Sequence, residues 1–172
     1  GLIIVGSAWI LWSLFGALPF TLSGEIPLYI DALFETVSGF TTTGSSILPD
    51  VEVLSQCMHF WRSFTHWVGG MGVLVFVLVL TSLDKSSTMY LMMAEVPGPE
   101  KEKLVPKMTS TARILYGIYF GMTALEVVLL LLGGMNVFDS LVHAFGTAGT
   151  GGFSNYAESV GHFGSAYIDG VI

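Results

Sequence analysis

The sequence predicts an all-α integral membrane protein built from a repeated unit. Three observations lead there: a shortage of charge, its concentration in a few places, and an internal repeat. Of 172 residues, 52% are hydrophobic and only 11% charged, with a mean hydropathy of +0.72. Soluble domains carry about 25% charged residues. The uncharged residues form long runs. No Asp, Glu, Lys or Arg occurs from Gly1 to Gly24 or between Arg62 and Asp84, and from Ile114 to Phe138 only Glu126 interrupts. A helix crosses the hydrocarbon core with about 20 apolar residues, so each run can span.

The first run is distinguished from a signal peptide. It has no basic leader and no initiating Met, and it holds Trp9, Trp12, Phe15 and Pro19 without a small-residue cleavage site behind them. It is read as a span, and the chain as starting inside a longer protein. A single cysteine, Cys57, excludes an internal disulfide and offers no metal cluster. The net charge is −7, but its placement is more informative. Lys85, Lys101, Lys103, Lys107 and Arg113, five of six basic residues, lie in or beside the connection from Asp84 to Arg113. The positive-inside rule makes that connector cytoplasmic. Glu25 to Met58 and Asn136 to Asp169 carry acids but no Lys or Arg, and are placed on the outer face.

Each outer segment has one plan: a span, an apolar stretch too short to cross, then a Gly/Thr/Ser-rich tract. A shift of 108 residues superposes Asp31 on Asp139, Leu33 on Leu141, Thr42 on Thr150, Gly44 on Gly152 and Ser46 on Ser154, which marks an internal repeat. The first unit is assigned to 1–83, with a span at 2–22, a half-helix at 29–40, a tract at 42–46 and a second span at 60–83. A connector follows at 84–112. The second unit occupies 113–172, with a span at 113–134, a half-helix at 137–147 and a tract at 150–154.

Bare backbone at membrane depth is tolerated only where it is buried in protein or lines a water-filled path. A tract of this composition suits a dehydrated monovalent cation. Backbone carbonyls replace the hydration shell without trapping the ion, and glycine reaches the φ > 0 conformations that aim them. The half-helix before each tract points its negative end toward the same place, while Asp31 and Asp139 suit the positive end. These are pore loops by their chemistry.

The string from Asp31 to Gly44 (DALFETVSGFTTTG) resembles the first pore loop of the Trk/Ktr/HKT superfamily of potassium transporters, closest to the bacterial TrkH-type membrane subunit. Trp61 to Gly72 (WRSFTHWVGGMG) resembles that family's next helix, Ala94 to Pro99 (AEVPGP) its connector, and Thr150 to Ser154 (TGGFS) its second filter. The resemblance implies a K⁺-channel-like fold in which four span–pore-loop–span units surround one pore. This chain would supply two, and end where the second unit's closing helix should begin. The key filter glycines then map to Gly44 and Gly152. The filter comprises Thr42, Thr43, Gly44, Ser45, Thr150, Gly151, Gly152 and Phe153, with K⁺ held at Thr42, Thr43, Thr150 and Gly151. The resemblance further implies a multi-pass protein of the bacterial cytoplasmic membrane that takes up K⁺ and is a homodimer when full length. It implies a cytosolic nucleotide-binding regulatory subunit, no cofactor beyond the transported ion, no nucleic acid and no covalent chemistry.

Besides a purely structural interaction subunit, which a flux assay on the full-length protein would separate from a conductor, two rivals are weighed. A Na⁺-conducting relative is disfavoured by Gly44 and Gly152, because a serine at the first-unit glycine accompanies Na⁺ preference in plant members. An intramembrane protease needs a nucleophile and base, or two aspartates, within spans. The spans hold no Asp, and the Ser-rich tract has no histidine placed to activate it. His59, His66, His143 and His162 show no ligand spacing and are read as packing or loop-bonding residues. Glu126, costly inside a span, is expected to have a buried partner. Gly117 and Gly121 would allow close helix approach. Arg62 either snorkels or pairs with an outer acid.

Overall fold

A computed structural model describes residues 2–73 and 104–172. All regular elements among the described residues are helical. Helix α1 (Leu2–Gly16) and the short α2 (Leu18–Leu22) divide the expected first span at Ala17. Pro19 is the reason: without an N–H it interrupts the hydrogen-bond ladder, but it is tolerated in the first turn of a new helix. Helix α3 (Tyr29–Phe40) follows. Residues 56–73 form α4, which starts four residues before the expected span. Ser55 begins it, its hydroxyl accepting from the Met58 N–H at 3.4 Å while Glu25 accepts from both its N–H and its hydroxyl at 2.7 Å. Residues 84–103, most of the connector, lie outside the described residues.

Helix α5 (Leu104–Leu132) contains Ser110–Leu132, the one stretch among the described residues long and apolar enough to cross a membrane. Gly134, at φ 92°, ends it, and the Met135 N–H reaches back to the Leu130 carbonyl at 3.2 Å. Helix α6 (Val137–Ala148) is capped by Asn136, whose side chain accepts from the Asp139 N–H at 2.8 Å. A 3₁₀ turn (Ser159–Phe163) and α7 (Ala166–Val171) complete the chain.

Each unit has a small apolar cluster. Ala17, Phe20, Ile26, Ala32, Leu54 and Met58 form the first; Leu130, Met135, Ala144 and Ile168 form the second. Helix α4 joins them. Its Trp61 indole donates to the Gly16 carbonyl at 2.9 Å. Phe60, Phe64 and Trp67 converge on Phe145 of α6, with ring centroids 5.8, 6.1 and 5.2 Å away. Trp67 also donates to Thr123 and accepts through its carbonyl from the Tyr119 hydroxyl. Aromatic pairs at these separations contribute about 0.5–1.5 kcal/mol beyond area burial, so α4 is fixed on three sides. Gly117 and Gly121, by contrast, are exposed, and a Cβ on either would meet nothing within 4 Å. They make no close helix contact among the described residues.

Candidate functional site: two matched tracts around one arginine

Helices α3 and α6 are both 12 residues long, and their ends correspond under the 108-residue shift. Their terminations correspond bond for bond. The N–H groups of Thr41, Thr42 and Thr43 reach the carbonyls of Val37, Gly39 and Ser38 at 2.9, 3.0 and 2.9 Å. Those of Gly149, Thr150 and Gly151 reach Phe145, Thr147 and Gly146 at 3.0, 2.8 and 3.0 Å. This is the Schellman termination, which needs a left-handed residue just past the cap. Here that residue is threonine, Thr42 at φ 55° and Thr150 at φ 58°. A β-branched side chain resists this conformation, at about 1–2 kcal/mol. Two residues later Gly44 and Gly152 each sit at φ 77°. The same left-handed positions thus recur in both units, 108 residues apart.

Among the candidate filter residues, Thr42, Gly44 and Gly151 are half-buried, Thr43, Ser45, Thr150 and Gly152 exposed, and Phe153 buried. The two tracts meet where the Gly151 carbonyl oxygen abuts Gly44. An open cavity alongside is lined by Gly44, Leu48, Gly152, Phe153, Ser154 and Tyr156. Helix α4 backs both tracts. Gly69 lies against the Phe40 carbonyl, and the His66 ring sits where a Cβ on Gly151 would go. His66 also stacks on Phe153 at 3.9 Å.

Behind the tracts stands a buried ion pair. Arg62 donates from Nε to Glu35 Oε1 at 2.5 Å, and both side chains are almost wholly buried. Arg62 therefore pairs with an acid instead of snorkelling. Its Nη1 donates to the Ser154 carbonyl at 2.9 Å, and its guanidinium lies 3.6 Å from the Phe153 ring centroid. The Glu35 carboxylate also accepts from the Ser46 hydroxyl and the Ile47 N–H.

His143 is the repeat counterpart of Glu35. Its Nδ1 meets the Asp139 carbonyl at 2.9 Å, which can only accept, so Nδ1 carries the proton and Nε2 accepts from the Ser154 hydroxyl at 3.2 Å. His143 thus touches Ser154, a contact that the sequence reading did not place. The pair still lacks the makings of a catalytic triad. Nδ1 faces a carbonyl where an orienting carboxylate would be needed, and Ser154 is buried. It repeats the bond between Ser46 and Glu35. In both units the serine hydroxyl then accepts an N–H two residues on, from Leu48 at 3.2 Å and Tyr156 at 3.1 Å.

Asp139 ties down the turn after the second tract, accepting from Asn155 at 2.7 Å, Tyr156 at 3.0 Å and Asn136 at 2.7 Å. Burial, and then the Asp139 carboxylate, push the Tyr156 hydroxyl above its ordinary pKa, which keeps it a donor. Glu52 reaches across from the first unit to accept the Ala157 N–H at 3.0 Å. Glu126 lies beside Thr147 of α6, with one carboxylate oxygen buried and without a partner among the described residues. No group of three or more His, Cys, Asp or Glu side chains among those residues is placed to hold a metal ion.

A family model described as TrkH, cation transport protein, matches residues 1–172. The chain belongs to the TrkH family. It is 38% identical over 171 residues to the Trk system potassium uptake protein TrkH of Halomonas elongata, covering 98% of this chain and 36% of that protein. Identity to the Trk system potassium uptake protein TrkG of Escherichia coli is 37%, covering 98% of this chain and 35% of the relative. The crystal structure of the potassium transporter TrkH from Vibrio parahaemolyticus superposes with a TM-score of 0.76 at 32% identity, over 99% of this chain and 33% of that one. The chain thus spans about a third of the length of these TrkH-family relatives.

Sequence reasoning left Arg62 open between snorkelling and an acid partner, read His66 only as a packing residue, and missed the parts played by Glu35 and Gly69. The available signal was chemical: a second acid, Glu35, one turn beyond Asp31 in an otherwise uncharged helix, and one base at the start of an uncharged run.

Proposed function

We propose that this chain supplies two of four pore units in a potassium-uptake transporter of the bacterial cytoplasmic membrane. Helices α3 and α6 are its re-entrant half-helices, and the tracts after them line the ion path. The carbonyls of Thr42, Thr43, Thr150 and Gly151 are the ion ligands, with Gly44, Ser45, Gly152 and Phe153 completing the filter. The observation that carries this reading is the matched left-handed pair in each tract, Thr42 with Gly44 and Thr150 with Gly152. Alternating left-handed backbone turns successive carbonyls toward a common side, as a carbonyl cage for a cation requires. The relatives named as potassium uptake proteins support K⁺ as the ion.

The chemistry is binding and release without bond-making. The acidic outer segments, free of Lys and Arg, raise the local cation concentration at the mouth. The 84–112 connector faces the cytoplasm, where a nucleotide-binding regulatory subunit docks on the full-length homodimer. The test is competitive uptake in cells lacking other K⁺ uptake, with the full-length protein and a rubidium tracer. K⁺ should compete strongly and Na⁺ weakly. Equal competition by Na⁺ would replace this reading with the mixed-cation one.

A further inference from the structure

We infer that Arg62 is a positioning residue for ion selectivity, a strap by which the first unit sets the backbone of the second unit's filter. The inference rests on the transport reading above and adds a residue that no carbonyl-cage argument requires. Arg62 belongs to α4 of unit one, yet its Nη1 grips the Ser154 carbonyl at 2.9 Å, directly behind Phe153. The guanidinium face covers the Phe153 ring at 3.6 Å. Its Nε is anchored in turn by Glu35 of α3, whose carboxylate also holds Ser46, the last residue of the first tract, and Ile47 just past it. One planar cation thus joins the trailing ends of both tracts, with α4 between them.

Three physical points make this arrangement bear on selectivity as well as on folding. A working constellation must be held to about 0.5 Å by its supporting shell, and Ser154 closes the second tract, one residue beyond Phe153. Its carbonyl is held by Arg62, which fixes the backbone where the ion-facing run of unit two ends. Finally, Glu35 neutralises the cation, so the strap adds no net charge that would repel K⁺ from the path.

A lysine separates the strap from the ion pair. It keeps a positive charge for Glu35, but as a point charge it cannot bond Glu35 and Ser154 together while lying flat on Phe153. In the full-length protein, Arg62→Lys should reach the membrane at the parental level with its K⁺-over-Na⁺ preference lowered about tenfold, the worth of one charge-assisted hydrogen bond. Should Arg62→Lys fail to accumulate, the double variant Arg62→Gln/Glu35→Gln removes both charges together and leaves none buried alone. The same loss of preference is expected there. Parental preference in whichever variant accumulates, beside a K⁺-selective parent, overturns the inference alone. A parent with no K⁺ preference overturns the transport reading and this inference with it.

Discussion

Gly44 of the first tract lies so close to Gly151 of the second that a Cβ on Gly44 would overlap the Gly151 carbonyl oxygen. Gly44 also sits at φ 77°, where a side chain is strained whatever the space. Gly44→Ser therefore displaces a proposed ion ligand of the neighbouring unit as well as distorting its own tract. Overpacking of this kind costs about 1–3 kcal/mol, enough to lower K⁺-over-Na⁺ preference about tenfold while the protein still reaches the membrane. Competitive uptake in the full-length protein reads it. Unchanged preference would remove Gly44 from the filter.

Thr42 gives the opposite balance. A glycine there sheds about 1–2 kcal/mol of left-handed strain and gives back about 0.5–1 in backbone entropy. Thr42→Gly is expected to hold or slightly raise the thermal midpoint in detergent while K⁺ preference falls. A clear drop in the midpoint would mean that the Thr42 side chain stabilises the tract.

Close approach and open surface can be compared on two helices. Gly69→Ala pushes against the Phe40 backbone, and a loss of about 1–3 kcal/mol is expected. Gly121→Ala meets nothing within 4 Å and should stay within about 0.5 kcal/mol of the parent. Thermal unfolding of the two variants side by side checks the pair. Equal losses would contradict the placement of α4.

Asp139→Asn replaces a pure acceptor with a group whose NH₂ must face donors from Asn155, Tyr156 and Asn136. Each mismatched buried bond costs about 1–3 kcal/mol. Destabilisation of that order is expected, with a larger effect than Asp31→Asn. Reversal of that ranking in a thermal-shift series would remove Asp139 as the anchor of the second tract.

Topology is accessible to labelling. With Cys57, which is exposed, replaced by serine, a cysteine at Asp50 should react with an impermeant thiol reagent on intact cells. One at Ser86 should not. Labelling at Ser86 would invert the proposed orientation.

How much of this was legible follows from the range of each interaction. The half-helices and tracts could be read because their signals are local: Asp31 and Asp139 in a first turn, an apolar run, then Thr and Gly at fixed offsets. The 108-residue register carried over from residue matches to left-handed angles at Thr42, Thr150, Gly44 and Gly152. The bonds of Arg62 to Glu35, 27 residues away, and to Ser154, 92 away, leave no periodic trace. Ser154 contributes only its carbonyl to Arg62, and side-chain identity says nothing about a backbone acceptor. The bond between His143 and Ser154 was hidden for another reason: its counterpart is a glutamate, so the repeat conserves geometry there while changing chemistry.

The termination of α3 has a consequence for how an ion meets it. The carbonyls of Val37, Ser38 and Gly39 already accept from the three N–H groups that follow, and that of Phe40 lies against Gly69. The first three thus each hold a donor, and the fourth is packed against backbone. On the transport reading, this helix end acts on a cation chiefly through its field. An ion waiting at that end of the filter can keep its water, and dehydration is confined to the tract beyond.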